Sequence, residues 1–533
     1  MTISCVLLLA FTCGLVSSRA AGPTYLPPPI SVLSEDNSTM AAADNDTLSQ
    51  RFGEIYFDYR PSTSTLSRRQ TDQLISRGIQ QLTLDLDHVL ATGSMPGGGR
   101  GISSPSTERN VVFSPLSIAS ALALVLLGAG GKTYQELAKV LGLTDASQTL
   151  PSDDVIHNEY SRVLAEFQEK PGDTSTVKIS SANGIFLQEG FPIRPRYREL
   201  SKSLYRSNIT NVDFMSRGNE AVAVINDWVS MKTKGRIMGL LSEPPSSDTR
   251  LIIASALYFN GEWKYPFPGE VTSQRRFYIT GDADAPGEEI EVTMMANSLE
   301  IPHYASPTLG CRVVGLPYKG DQVTMYFVLP NKPGISALRE LEAKLTPSAI
   351  EELVTSTKEE SIILLVPRMK LESTISLKDA LRTLGLQTLF NPRTANLSLI
   401  SQGNNFQQAY EPQFIFSRIG DNNNSTANEV SGRSVPTNDQ EQMVFRQRRQ
   451  LENPGLYADD AIHRVEIEIT ETGTVASAVT LLSVTRDGAR KNFRLDRPFI
   501  FFIRHEPTGL ILFWGSVVRP TPNYPKSAAS AKV

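Results

Sequence analysis

Between Ser114 and Gly128 lies the run Pro115-Leu116-Ser117-Ile118-Ala119-Ser120-Ala121-Leu122-Ala123-Leu124-Val125-Leu126-Leu127, without a charged side chain. A serine just before a proline opens it and a glycine closes it, which is helix punctuation. The predicted helix is apolar nearly all round, so it has no face to give to water and must be buried. Such an element needs a large body around it. A chain of 533 residues with 40% hydrophobic and 20% charged residues can supply one.

Length alone allows three or four domains, but the order of elements argues for one. Leu74, Ile75, Ile79, Leu82, Leu86 and Val89 recur at helical spacing, and a glycine-rich loop at 97–101 follows. Thr133 and Glu136 have the spacing of a capping box for the next helix. The continuous apolar run Leu251–Asn260 predicts a strand covered on both faces. Further strands are expected at Val323–Leu329, Ile362–Val366 and Val465–Ile469, and Phe499–Ile503 with Leu510–Val518 reads as a closing hairpin. Helices dominate early and strands late, with no internal repeat, which gives one α+β unit.

Segments outside that unit are recognised by composition. Ile3–Val16 is apolar, too short to span a bilayer, and followed by the small residues Ser18, Ala20 and Ala21, so 1–21 is expected to be a secretory signal peptide despite the lack of Lys or Arg before it. The protein is then secreted and extracellular, without a membrane anchor. Residues 22–72 form a low-complexity extension rich in Pro, Ser, Thr, Asn and Asp, 402–453 a polar insert within the main unit of 73–522, and 523–533 a flexible tail. Glycosylation sequons stand at Asn37, Asn45, Asn208, Asn396, Asn423 and Asn424. Arg446-Gln447-Arg448-Arg449 in the insert is similar to a furin-type processing site, and a solvated charge run explains it equally well. Of the three cysteines, Cys5 and Cys13 leave with the signal peptide and Cys311 remains alone, so no internal disulfide is expected.

Several chemistries fall away. With 52 basic against 56 acidic residues the net charge of −4 gives no global drive toward nucleic acid. Gly130-Gly131-Lys132-Thr133 resembles a phosphate loop, yet Leu126 stands where its first glycine belongs. His88, His157, His303, His463 and His505 never pair at metal-ligand spacing, so neither metal nor cofactor is expected. No Gly-x-Ser-x-Gly elbow occurs, and the chain is not expected to be an enzyme.

The most informative stretch runs from Glu471 to Pro498. After an alternating strand, Gly473 offers a pivot, and Thr474 to Thr485 has no charge, no proline and no further glycine. Thr474, Ala476, Ala478 and Thr480 share one face of an extended chain and are all small. Arg486, Asp487, Gly488, Ala489, Arg490 and Lys491 then form a polar, cleavable stretch.

Here the chain resembles the serpin family, over nearly the whole unit. The blocks are Asn110–Ile118, Ser181–Phe186, Ile225–Val229 with Thr233–Ile237, Leu257–Trp263, Leu316–Gly320, Arg497–Phe499 and Phe513–Val517, in family order. The resemblance implies a serpin fold, with helices packed on large mixed β-sheets and an exposed reactive-centre loop. It implies a suicide inhibitor of serine proteases: the protease cuts the loop, is trapped as a covalent complex, and the cut loop enters the large sheet as a new strand. Small residues after the Gly-Thr pair, here Thr474, Ala476, Ser477 and Ala478, look inhibitory, with Glu471 and Gly473 opening the hinge. Ser114, Ser117, Asn183, Ser255 and His463 would form the cluster where the sheet opens, with Trp263 near its top. Ser255 stands where the family usually has Asn, and the shorter side chain is expected to loosen that latch.

Counting along the loop from Gly473 and back from Pro498 places the specificity residue at Asp487, and a loop one residue shorter places it at Arg486. A trypsin-like pocket holds a carboxylate and takes arginine, so the reactive bond is read as Arg486-Asp487, with Arg490-Lys491 as the alternative. A monomeric inhibitor is implied, similar to arthropod regulators of extracellular immune cascades such as melanisation. The competing reading is a non-inhibitory serpin that binds a ligand, or a polyanion through Arg486, Arg490, Lys491, Arg494 and Arg497.

Overall fold

In the computed structural model, residues 68–92, 109–143, 153–167, 177–402, 455–473 and 491–524 are described. The expected signal peptide, the extension up to residue 67, the glycine-rich loop, all but the start of the insert, and loop residues 474–490 lie outside them.

Along the chain run α1 (Arg68–Thr92), β1 (Val111–Phe113), α2 (Pro115–Gly128), α3 (Gly131–Val140), α4 (Asp153–Glu166), β2 (Val177–Gln188), α5 (Pro195–Tyr205), β3 (Ile209–Val212), α6 (Gly218–Lys232) and β4 (Leu251–Gly261). Next come β5 (Ser273–Tyr278), β6 (Glu289–Ser306), β7 (Cys311–Pro317), β8 (Val323–Pro330), α7 (Ile335–Glu342), α8 (Pro347–Thr355), β9 (Lys358–Pro367), β10 (Met369–Ser376) and α9 (Lys378–Thr383). β11 (Asp460–Ile469), β12 (Lys491–Arg494), β13 (Phe499–His505) and β14 (Leu510–Val517) complete the series.

The apolar run is α2, and every residue of it is buried. Ser114 caps it in an extended conformation, its Oγ accepting the Ser117 amide at 3.2 Å, and Pro115 takes the first turn, where a missing N–H costs nothing. The helix is enclosed by α1, α3, α4 and α5 on its flanks and by β2, β4 and β14. The absence of a polar stripe is therefore matched by contact on all sides.

Two sheets carry the rest. The larger runs β1-β14-β13-β8-β7-β6-β9-β12, with β5 added beside β6, and contains the predicted β13–β14 hairpin. The smaller runs β10-β11-β4-β2-β3. In it β11 and β4 are parallel neighbours, whereas β10–β11 and β2–β4 are antiparallel. One face of β4 points toward α2 through Ile253, Leu257 and Phe259, and the other lies under α6 through Ile252, Ala254 and Ala256. That double cover is why the sequence of β4 is apolar without alternation. α6 lies close: Trp228 stands edge-on to Phe186 at 5.2 Å and leaves no room for a side chain at Gly184.

Three local readings change. The capping box does not form, because α3 begins at Gly131 in the left-handed region and Thr133 lies inside the helix. Thr133 Oγ1 instead accepts the Asn396 amide, and Glu136 accepts the amides of Gln387 and Thr388, so both side chains tie α3 to a distant segment. The opening helix begins at Arg68. Tyr524, read as tail, donates its hydroxyl to Glu468 at 2.8 Å.

Because α2 is enclosed on all sides, truncating it leaves a cavity that its neighbours cannot fill. Leu124→Ala is expected to cost about 2–5 kcal/mol of unfolding free energy, measured by urea denaturation.

Candidate functional site

Asn183 on β2, Ser255 on β4 and His463 on β11 are direct partners across three adjacent strands, so their side chains leave the sheet on one face. That face meets the start of α2. The Ser114 amide donates to His463 Nε2 at 2.9 Å, and Ser255 Oγ lies 3.0 Å from His463 Nδ1. Ser255 Oγ is 2.8 Å from Ser117 Oγ, which donates to Asn183 Oδ1 at 3.0 Å. Ser114 Oγ donates to the Leu512 carbonyl at 2.7 Å, extending the network to β14.

Only one proton arrangement satisfies this chain. A backbone N–H can only donate, so Nε2 accepts and the proton sits on Nδ1. Nδ1–H donates to Ser255, Ser255 donates to Ser117, and Ser117 donates to Asn183. The hydroxyl of Ser255 reaches both neighbours, so the departure from Asn leaves no break. His463 is fully buried, and burial pushes its pKa down to about 3, which keeps the ring neutral.

A second constellation sits at the end of β11. The turn Thr470–Gly473 closes on itself, with the Thr470 amide and hydroxyl donating to the Gly473 carbonyl at 2.9 and 2.7 Å. It docks on the end of β4: the Trp263 amide donates to the Thr472 carbonyl at 3.0 Å, its indole to the Thr470 carbonyl at 2.9 Å, and the Phe267 amide to the Glu471 carbonyl at 2.7 Å. Gly473 forms an antiparallel bridge with Glu262. Its φ is +146°, and a Cβ would stand 2.1 Å from the Gly261 carbonyl oxygen, so only glycine fits.

Trp263 is fully buried and stacks on Tyr318 at 4.4 Å. Glu471 pairs with Arg368 at 3.0 Å, and the Arg368 guanidinium, almost wholly buried, lies over the Tyr524 ring. Arg368 and Tyr524 carry no motif and were missed from sequence. Their role appears only once β10 and the chain end are placed beside this turn.

Of the remaining expected residues, Thr474, Ala476, Ser477, Ala478, Arg486, Asp487 and Arg490 lie outside the described residues. Lys491 begins β12, paired with Ile362 of β9, and its Nζ is 2.6 Å from Glu360. Asn208 is exposed, whereas Asn396 is half-buried with its Oδ1 accepting the amide and hydroxyl of Ser398. Asn37, Asn45, Asn423 and Asn424 are outside the described residues.

The latch makes stability pH-dependent. Folded His463 titrates near 3 and an unfolded histidine near 6.5, so below about 6.5 the unfolded state binds the proton first and stability falls toward pH 3. The limiting slope for one group is about 1.4 kcal/mol per pH unit. His505, pushed down to about 4 chiefly by burial, adds the same sign over its own window. His463→Gln is expected to be less stable at pH 7 but to lose stability less steeply on acidification, measured by urea unfolding between pH 4.5 and 7. An unchanged acid slope would show that His463 is not the sensor.

A family model described as serpin (serine protease inhibitor) matches residues 100–520. Serine protease inhibitor 28Dc of Drosophila melanogaster is 29% identical over 437 residues, covering 77% of this chain and 75% of that protein. Plasminogen activator inhibitor 1 of Bos taurus is 30% identical over 419 residues, covering 78% and 88%. Among solved structures, human thyroxine-binding globulin has the same fold at a TM-score of 0.66 and 21% identity, covering 85% of this chain and 100% of that one. With a family model spanning most of the chain and a helix-capped latch across a five-stranded sheet, this chain belongs to the serpin family, the serine protease inhibitors.

Proposed function

We propose that this serpin is a secreted, irreversible inhibitor of a trypsin-like serine protease, acting on an extracellular proteolytic cascade by cleavage of Arg486-Asp487 and insertion of the cut loop between β4 and β11. The observation that carries the reading is the register of the Gly473–Glu262 bridge. Continued antiparallel along β4, it sets Thr474 opposite Gly261, Ala476 opposite Phe259, Ala478 opposite Leu257 and Thr480 opposite Ser255.

Those β4 positions face the core that holds α2, where space is small, and the chain supplies small residues for it. Val475 and Val479 would fall opposite Asn260 and Ala256 on the alternate face. Thr480 would arrive between Ser255 and His463 and offer a hydroxyl where the latch was broken. Because β11 and β4 are parallel, a strand that turns back at Gly473 is antiparallel to both, and a full set of ladder bonds forms. About a dozen bonds at roughly 1 kcal/mol net each match the whole stability of an ordinary domain.

The choice of Arg486 over Arg490 is supported by Lys491, whose backbone is already paired in β12 and would hold an adjacent peptide bond away from a protease. Secretion and glycosylation rest on the apolar start of the chain and on the exposed sequon at Asn208. The polyanion reading of 486–497 is weaker, since Lys491 pairs with Glu360 and the Arg497 guanidinium with Asp496 and the Pro330 carbonyl.

Incubation of the mature protein with trypsin is expected to give a band on a denaturing gel at the summed mass, with a released peptide that begins at Asp487. A clipped protein without the covalent band would favour the non-inhibitory ligand-binding reading. Arg486→Ala should lose the trypsin complex. Ala476→Arg should convert the inhibitor to a substrate, because a charged side chain cannot be buried beside Phe259. The loop-cleaved protein should melt roughly 10–15 °C above the intact one, the shift expected when about 12 kcal/mol is added to a domain of this size.

A further inference from the structure

One buried cluster belongs neither to the latch nor to the turn at Gly473. Asp87 of α1 and Glu342 of α7 are 1% and 8% exposed, and both reach Ser516 of β14, whose Oγ lies 3.1 Å from Asp87 Oδ1 and 2.5 Å from Glu342 Oε1. Three elements far apart in sequence meet at one hydroxyl. Arg339 Nη1, one turn back on α7, donates to the two oxygens of Glu342 at 2.8 and 2.7 Å. Among the described residues no cation comes within ion-pair distance of Asp87.

Two ionised acids leave this site one proton short. Ser516 has a single hydroxyl proton and can give it to one carboxylate only. The contact of 2.5 Å has the length of a hydroxyl donating to a charged oxygen, and Glu342 is the acid that has a cation, so Ser516 donates there. Asp87 Oδ1 then faces the lone pairs of Ser516 and needs a proton of its own to make that contact a bond. The surroundings favour the neutral acid. Burial, followed by the charge of Glu342, holds the Asp87 carboxyl well above the usual carboxylate range. Facing it are Glu342 and Arg339 from α7 and, from β14, Ser516 and the Trp514 indole, whose N–H stands outside hydrogen-bond geometry. The other titratable neighbours on α1, Asp85 and His88, act on each other and not on Asp87.

We propose that Asp87 keeps its proton at neutral pH and donates it to Ser516, making the junction of α1, α7 and β14 a pH-sensitive joint that weakens as the proton leaves. Its sign is opposite to that of the latch. An unfolded aspartate titrates near about 4, so above that pH the folded chain holds a proton that the unfolded chain has released, and stability falls with rising pH until Asp87 is itself ionised. Between about pH 4 and 6.5 the slopes of His463 and Asp87 oppose each other, and above that range only the slope of Asp87 remains. Both act on β14. Ser114 of the latch bonds to the Leu512 carbonyl of that strand, and the joint is made at Ser516, four residues on.

The test compares the full chain with Asp87→Asn, in which an amide supplies the donor to Ser516 at every pH. Both are unfolded in urea from pH 5 to 7. A proton held by the folded chain alone changes the unfolding constant about tenfold per pH unit, so the parent's constant should rise about a hundredfold relative to that of the variant across this range. His463 and His505 are common to both proteins and drop out of the ratio. The proton itself is read by infrared spectroscopy at pH 7 on protein isotope-labelled at the aspartate side-chain carboxyl. A protonated-carboxyl band that moves with the label should be present in the parent and lost in Asp87→Asn, with circular dichroism reporting the fold of each. The proposal is overturned if the two proteins keep the same pH dependence, or if the band is absent, unmoved by the label, or at full strength in Asp87→Asn. Trypsin trapping enters neither measurement, so failure here would leave the inhibitory reading intact.

Discussion

The contact between β11 and β4 is the interaction on which the rest depends. β4 is buried on both faces and β11 on one; they run parallel and are joined across their middle by His463 and Ser255 rather than by an apolar pair. A polar junction in a core is costly unless every group is satisfied. Here it is satisfied from outside the sheet, by the capped end of α2. The same serines that start the central helix therefore bond to both strands of the junction, so the helix start and the sheet share one hydrogen-bond network.

How much of this was legible in the sequence depends on how local each feature is. α2, β4, β11 and the closing hairpin were readable because propensity, punctuation and periodicity agreed within a dozen residues. The latch was not. Ser114 and His463 are 349 residues apart, and nothing in either neighbourhood signals the other, so only family resemblance joined them. The Thr133–Glu136 spacing misled for the opposite reason: a local pattern was present, but Asn396 and Thr388 offered both side chains better-placed donors.

Glu471 shows how a buried ion pair can act as a register mark. Its partner Arg368 is nearly inaccessible to water, so any slip of the turn would strand a charge in the core. The pair adds little to stability against an apolar alternative of the same shape, but it fixes where β11 ends and where the following segment begins. Tyr524 closes the cation from the other side, which brings the end of the described chain into the same arrangement.

The Gly473–Glu262 bridge has a consequence for kinetics. A strand added from solution must first lose the entropy of bringing two ends together, and that closure is the slow part of β-pairing. In this chain the closure already exists before any bond is cut, because Gly473 is seated on β4 in the antiparallel sense. Under the insertion proposed above, growth of the new strand would be elongation from a standing nucleus, with each residue adding its rung beside one already made. Speed would be set by how fast the latch gives way ahead of the growing end, and the race against the protease's own deacylation would be decided at His463, seven positions down the sheet from where it starts.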